Sequence, residues 1–177
     1  MKSCEIILSG FGGQGILFAG KIIASAAMMM GRELSWLPSY GPEMRGGTAN
    51  CHVRLDDEPI GSPIITEPDI LIAMNRPSLD KFENDVRSGG YIFLDSSMTG
   101  RSVRRSDVRA VYVDSTVEAE RLGIKNLANM VMLGKLIKET ELFSLEDIVK
   151  TIKHAMPPKR EALIEPNIAA VTAGYEL

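Results

Sequence analysis

Glu5 to Leu8 is a short, largely apolar run of strand length. After it the chain reads Ser-Gly-Phe-Gly-Gly-Gln-Gly from Ser9 to Gly15, then enters a long apolar segment, Ile16 to Met30, with one charge at Lys21. That order, strand then glycine turn then helix, constrains the fold more than any other stretch. Gly10, Gly12, Gly13 and Gly15 allow the backbone to reach positive φ and to approach a ligand with no Cβ in the way. Such a turn sets a row of backbone N–H groups at a helix start, where unpaired donors and the helix dipole favour an anion. The expected guest is a phosphate or a carboxylate. The alternative is a tight strand-to-helix turn that holds nothing.

Gly10, Gly12 and Gly15 also satisfy the dinucleotide spacing G-x-G-x-x-G. That fingerprint requires an acidic residue about 20 positions on, at the carboxyl end of the next strand, to hold a ribose. Glu33 is the only candidate, and it opens the short run Leu34 to Leu37, at the wrong end of that strand. A nicotinamide enzyme is disfavoured on this ground.

With 20 basic and 23 acidic residues the net charge is −3 and no long run of like charge occurs, so a nucleic-acid footprint is not expected. The two cysteines, Cys4 and Cys51, and two histidines, His52 and His154, form no C-x-x-C or H-E-x-x-H pattern, and four cluster ligands cannot come from two thiols. No metal site is expected. The start resembles no signal peptide, and Ile16 to Met30 is too short for a membrane span, so a cytoplasmic protein without membrane contact is expected. At 177 residues the length suits one domain, residues 1–177. The Met28 to Met30 triplet suggests adaptable core or interface packing.

Pro38 to Gly47 carries two prolines and three glycines and reads as a loop. Arg45 within it, beside Gly46-Gly47, could approach an anion, or could pair with Glu43 on a solvated surface. Thr48 to Leu55 alternates, with Ala49, Cys51, Val53 and Leu55 on an apolar face and His52 on the polar one. Cys51 reads as an inert core residue, and His52 as solvated or partner-facing. Asp56-Asp57 supplies a turn. Glu58 to Ile65, broken by Pro59 and Pro63, reads as an edge strand or irregular chain, so an antiparallel hairpin is expected here. Strand and helix then alternate: a strand at Asp69 to Met74, a helix at Ser78 to Arg87, strands at Tyr91 to Leu94 and Val108 to Val113, and a helix capped by Asp114-Ser115-Thr116 and running to Leu122. Asn75-Arg76 and Asp95-Ser96-Ser97 fall at strand ends, where α/β sheets bind ligands, although turn and capping chemistry accounts for Asn75 and Ser96 individually. Leu127 to Ile137 has helical spacing, with Asn129 among its apolar residues and in need of a buried partner or another chain. A further helix runs from Ser144 to His154 and a last one from Glu161 to Ala173. Lys159-Arg160 before that last helix hints at an acidic partner.

The expected fold is α/β, with three layers on a Rossmann-like, mixed, largely parallel sheet that carries a β-hairpin insertion and a helical C-terminal third. The candidate site is the backbone of Gly12, Gly13 and Gly15 with Gln14 as an anion cradle, Arg45 as the charged contact, and Asn75 beside them. No residue of this chain is expected to be catalytic or to bind a metal.

The segments G-F-G-G-Q-G at Gly10 to Gly15, P-S-Y-G-P-E-M-R-G-G-T-A-N at Pro38 to Asn50, A-M-N-R-P-S-L at Ala73 to Leu79 and A-N-M-V-M-L-G at Ala128 to Gly134 resemble the γ subunits of 2-oxoacid:ferredoxin oxidoreductases. The resemblance spans nearly the whole chain. It implies an assembly that decarboxylates a 2-oxoacid on thiamine diphosphate, passes electrons through iron–sulfur clusters to ferredoxin and transfers the acyl group to coenzyme A. This chain carries no G-D-G…N signature for a magnesium diphosphate site. Thiamine diphosphate, Mg and the clusters are therefore implied to lie in α, β and ferredoxin-like partners, with coenzyme A as cosubstrate and no cofactor on this chain alone. The Y-G-P-E-M-R segment looks more like the 2-oxoglutarate or branched-chain enzymes than the pyruvate ones. A free-standing nucleotide-binding module remains the alternative, and an isolated γ chain could pair with itself as a homodimer.

Overall fold

The computed structural model describes residues 3–39 and 48–177, apart from the side chains at positions 48 and 125. Arg45 and most of the expected loop lie outside the described residues. The sheet has six strands in the order β2-β3-β1-β4-β5-β6. They are β1 (Cys4–Phe11), β2 (Glu33–Ser39), β3 (Thr48–Asp56), β4 (Ile70–Ala73), β5 (Tyr91–Asp95) and β6 (Arg109–Val113). β1, β4, β5 and β6 run parallel, while β3 is antiparallel to both β1 and β2. This is the mixed, largely parallel α/β sheet that the alternation of apolar runs implies.

The antiparallel hairpin is made by different segments from those expected. β3 pairs with β2 upstream of it, and Glu58–Ile65 forms no strand. β2 also runs on through Pro38 to Ser39, where two prolines and three glycines suggested a loop from Pro38 onward. The edge position explains this: among the described strands β2 has a neighbour on one side only, and a proline that cannot donate is tolerated on such a strand.

Period-two alternation sends the strands' side chains into two cores. Ile6 and Leu8 of β1, Ile70 and Ile72 of β4, and Phe93 of β5 face α1 (Ile16–Met29), α5 (Ala128–Thr140), α6 (Leu145–Ala155) and α7 (Ile164–Glu176). Ile7, Leu71, Ala73, Ile92 and Leu94 face α2 (Arg76–Phe82), through Leu79 and Phe82. Three layers result, with the four larger helices on one face. α5 and α7 cross with their backbones in contact: a Cβ at Gly134 would stand 2.0 Å from the Val171 carbonyl oxygen, and one at Gly174 would stand 1.8 Å from that of Val131. α7 begins three residues later than its expected start at Glu161, because Pro158–Leu163 winds as 3-10 turns. Pro166 lies in the first turn of α7, where a missing N–H is harmless.

Two shorter helices, α3 (Ser96–Thr99) and α4 (Ser115–Arg121), follow β5 and β6. Asp114 stands at the start of α4 but its side chain does not cap the helix. It accepts instead from the Ser96 hydroxyl at 2.6 Å. The buried Asp95 supplies the cap, accepting from the Thr116 N–H at 3.1 Å and the Ser115 hydroxyl at 2.6 Å, as well as from Ser97 of α3. One carboxylate at the end of β5 thus binds two helix starts. α6 starts in a capping box between Ser144 and Asp147. Among the described residues, no helix is long and apolar enough to cross a membrane.

Candidate functional site at the glycine turn

The turn after β1 takes the conformations its glycines allow. Gly13 has φ 96° and Gly15, at the N-cap of α1, has φ 72°. The Gln14 N–H closes the turn onto the Phe11 carbonyl at 3.1 Å. Gln14 is not a free arm reaching for an anion. Its Oε1 accepts from the Phe11 N–H at 2.6 Å, and its Nε2 donates to the Met74 carbonyl at 3.2 Å. The side chain therefore ties the end of β1 to the residue that follows β4. Gly10 makes room for it, since a Cβ there would lie 2.7 Å from Gln14 Oε1.

Asn75 is buried beneath this bracket. Its Oδ1 caps α2 by accepting from the Ser78 N–H at 2.9 Å, and its Nδ2 points to Gln14 Oε1 at 3.4 Å. The Ser78 hydroxyl accepts from Ser9 Oγ at 2.9 Å. Gln14 and Asn75, paired as site residues from the sequence, are thus brought together as the frame of the turn. Ser9 and Ser78 complete that frame and were missed; the spacing Asn75-x-x-Ser78 just before an apolar helix is the signal that could have found Ser78. Asn129 of α5 finds the partner it needs within the chain, its Nδ2 donating to the Gly15 carbonyl at 3.0 Å.

With Gln14 occupied, the groups offered to a ligand are main-chain. The N–H groups of Gly12, Gly13 and Gly15 have no acceptor among the described residues. Among the described residues, nothing lies within 4 Å of where a Gly13 Cβ would be. Beside them is a cavity of about 310 Å³ walled by Phe11, Ile16, Leu17, Phe18 and Ala49. The arrangement suits a ligand with an anionic group on the N–H row and an apolar portion along the wall. Glu33 opens β2 opposite Asp56, whereas the glycine turn adjoins the other end of the hairpin, where Phe11 faces Thr48 and Ser39 faces Asn50. A ribose contact from Glu33 is therefore ruled out by position.

The nearby thiol and imidazole take no part in this chemistry. Cys51, wholly buried under the start of α1, has its thiol pushed up to about 12, chiefly by burial. Cys4 is likewise pushed up to about 12, chiefly by burial. His52 is half-buried on the polar face of β3; its Nδ1 accepts from the Ile65 N–H at 3.1 Å, pinning the irregular 58–65 segment over β3. Burial, and then the charge of Lys81, hold its pKa below the usual histidine value.

Fold and turn together define an α/β domain with a glycine-rich turn, its Gly12, Gly13 and Gly15 N–H groups unpaired among the described residues, at the carboxyl end of its first parallel strand. The chain belongs to the pyruvate ferredoxin/flavodoxin oxidoreductase family, whose model matches residues 5–177. It is 43% identical over 174 residues to ketoisovalerate oxidoreductase subunit VorA of Methanothermobacter thermautotrophicus, covering 97% of this chain but 36% of that protein. It thus spans only about a third of that relative's length. It is 37% identical to 2-oxoglutarate synthase subunit KorC of Methanocaldococcus jannaschii, covering 98% of this chain and 92% of that one. The crystal structure of a keto/oxoacid ferredoxin oxidoreductase γ subunit from Geobacter sulfurreducens superposes with a TM-score of 0.83 at 30% identity, over 98% of this chain and 96% of that one. The same fold recurs in 2-oxoglutarate:ferredoxin oxidoreductase from Magnetococcus marinus, with a TM-score of 0.88 at 22% identity over 99% of this chain and 31% of that longer one.

Proposed function

We propose that this chain is the γ subunit of a thiamine diphosphate-dependent 2-oxoacid:ferredoxin oxidoreductase, an assembly that converts a 2-oxoacid and coenzyme A to acyl-CoA and CO2 and passes the electrons to ferredoxin. In this reading the chain packs against α, β and ferredoxin-like subunits in the cytoplasm. Those subunits hold thiamine diphosphate, Mg and the iron–sulfur clusters, and the thiamine supplies the carbanion chemistry. The chain's own part is to hold coenzyme A. The N–H groups of Gly12, Gly13 and Gly15 take one of its phosphates, and the apolar wall from Phe11 to Phe18 takes a less polar portion. Asn75 and Gln14 keep the turn in shape, and Arg45 is the cation we assign to the same anion.

The observation that carries this reading is the row of N–H donors without an acceptor among the described residues, held open by the Gln14 bracket beside an apolar cavity. Length and identity to relatives named as subunits of such enzymes support it.

The test is an anaerobic pull-down of the tagged chain from its native cell, followed by 2-oxoacid-dependent dye reduction by the recovered assembly. Co-elution of companion chains with activity is expected, and the preferred oxoacid names the substrate. In the same assembly Gly12→Val should raise KM for coenzyme A at least tenfold and leave KM for the oxoacid unchanged. A chain that elutes alone, and binds a nucleotide lost on Gly12→Val, would instead be a free-standing module.

A further inference from the structure

Gly15 and Phe18 border two cavities: the one of about 310 Å³ at the glycine turn, and a second of about 180 Å³ where the start of α1 meets α5 and α7. The two adjoin along the first turn of α1, with Gly15, the last of the N–H row, at their junction. Their walls differ in charge. No charged residue borders the first, whereas Arg160 lines the second beside Phe18, Met156 and Leu163. Asn129 and Asn167 frame the second cavity, their amide nitrogens spent on the Gly15 and Leu163 carbonyls at 3.0 and 2.7 Å and their oxygens fully shielded. Arg160 is therefore its charged group, and it has no counter-ion of its own. Arg32, Arg54, Arg87, Arg101, Arg105 and Arg121 each pair with a carboxylate, while Arg160 meets none among the described residues. Its place is set by the chain around it. Pro157 and Pro158 fix the entry, the Arg160 N–H donates to the Pro157 carbonyl at 2.8 Å, and the backbone leaves helical geometry at Arg160 (φ −121°, ψ 18°) just before α7.

The order of these walls matches the order of groups in coenzyme A. That molecule runs from a neutral pantetheine arm through a diphosphate to an adenosine whose ribose carries a separate 3′-phosphate. The first cavity, apolar and uncharged, suits the neutral arm, and the N–H groups of Gly12, Gly13 and Gly15 suit the diphosphate. Beyond Gly15 a ring and a dianion remain to be placed, and the second cavity offers an apolar wall and a guanidinium. Its volume lies below the roughly 300 Å³ at which sites for whole small molecules begin, so it suits one ring of a ligand also held elsewhere. A guanidinium can give a phosphate two parallel hydrogen bonds, charge-assisted, which it cannot give a ribose hydroxyl. We propose that the second cavity takes the adenosine end of the coenzyme A held at the glycine turn, with the ring against Phe18, Met156 and Leu163 and the 3′-phosphate on Arg160. Arg160 is then the residue that distinguishes coenzyme A from its dephosphorylated form. This rests on the coenzyme A reading above, and gives Arg160 a different anion from the one assigned to Arg45.

The experiment offers the assembled oxidoreductase coenzyme A and dephospho-coenzyme A, which lacks only the 3′-phosphate, as alternative acyl acceptors. In wild type the KM for the dephosphorylated acceptor should be higher by at least about tenfold, the loss of one charge-assisted pair. In Arg160→Gln the ratio of the two KM values should fall close to one, and Arg160→Lys should restore part of it. A residue that only holds the fold shifts both KM values together and leaves their ratio as it was. Retention of the full ratio in Arg160→Gln, or no difference between the acceptors in wild type, overturns the subsite. Gly12→Val separates that result from failure of the underlying reading. A rise in KM for both acceptors keeps the glycine turn as the coenzyme A site even where the Arg160 subsite has failed; no rise for either overturns both.

Discussion

Gln14 shows how one side chain can decide what a glycine motif is able to do. Its carboxamide spans the gap between β1 and the end of β4, so the turn is stiff and its donors are main-chain groups alone. The same economy governs the two thiols. Burial pushes the Cys4 and Cys51 thiols up to about 12, so the folded chain holds very little thiolate at pH 8. Ellman's reagent at pH 8 should therefore label neither thiol in the native chain within minutes, and both in guanidinium. His52 gives a second prediction at this scale. The neutral ring accepts the Ile65 N–H, and its folded pKa lies below the unfolded value of about 6.5. Between those two values the unfolded chain holds the extra proton, so stability is fully present above about pH 6.5 and falls as pH is lowered through that window. In His52→Gln, which retains an acceptor but does not titrate, the loss of melting temperature between pH 7 and pH 5 should be smaller than in wild type. Equal losses would show that the imidazole is not the titrating group.

Among the elements, the crossing of α5 and α7 is the tightest contact. Gly134 and Gly174 let the two backbones touch, and the atoms that a Cβ would strike are main-chain, which cannot swing aside. Gly134→Ala should cost at least about 3 kcal/mol in a urea melt, the upper range for overpacking. Gly61→Ala, with nothing within 4 Å among the described residues and no unusual φ, should stay within about 0.5 kcal/mol. The helical stripe containing Gly134 is legible in the sequence, because it repeats at 3.6-residue spacing, but its partner is not. Gly174 stands near the chain end, among small residues that carry no sign of what they meet. The same limit explains β2 and β3. Alternation marks Thr48 to Leu55 as a half-buried strand, yet pairing is a long-range choice, and the upstream strand won over the proline-broken segment 58–65. Of the site, the glycine turn and Asn75 could be read directly, since backbone conformation and capping are local. The roles of Ser9 and Asn129 could not, because their partners lie 69 and 114 residues away and only the fold brings them together.

At the scale of the molecule, the sheet ends at β6, whose outer side has no neighbouring strand among the described residues. Around that edge stand Tyr112, Val117 and Leu177, 48%, 54% and 56% exposed, on β6, α4 and the end of α7. All three line one cavity with Asp114 and Lys135. Elsewhere Met28, Met29 and Met30 emerge at the end of α1, 61%, 48% and 44% exposed. Soluble monomers seldom leave apolar side chains grouped at an unpaired strand edge, because such edges recruit other chains. A subunit whose partners cover these surfaces has no such constraint. The chain expressed alone should therefore self-associate, its sedimentation coefficient rising with concentration across the micromolar range. Val117→Lys should reduce that association, since it sets a charge in the middle of the β6 patch. Co-expression with companion subunits should abolish it, giving one species of fixed stoichiometry. A wild-type chain that stays monomeric at all concentrations would mean that the apolar edge is tolerated in solution, and would remove this support for the subunit reading while leaving the chemistry of the glycine turn untouched.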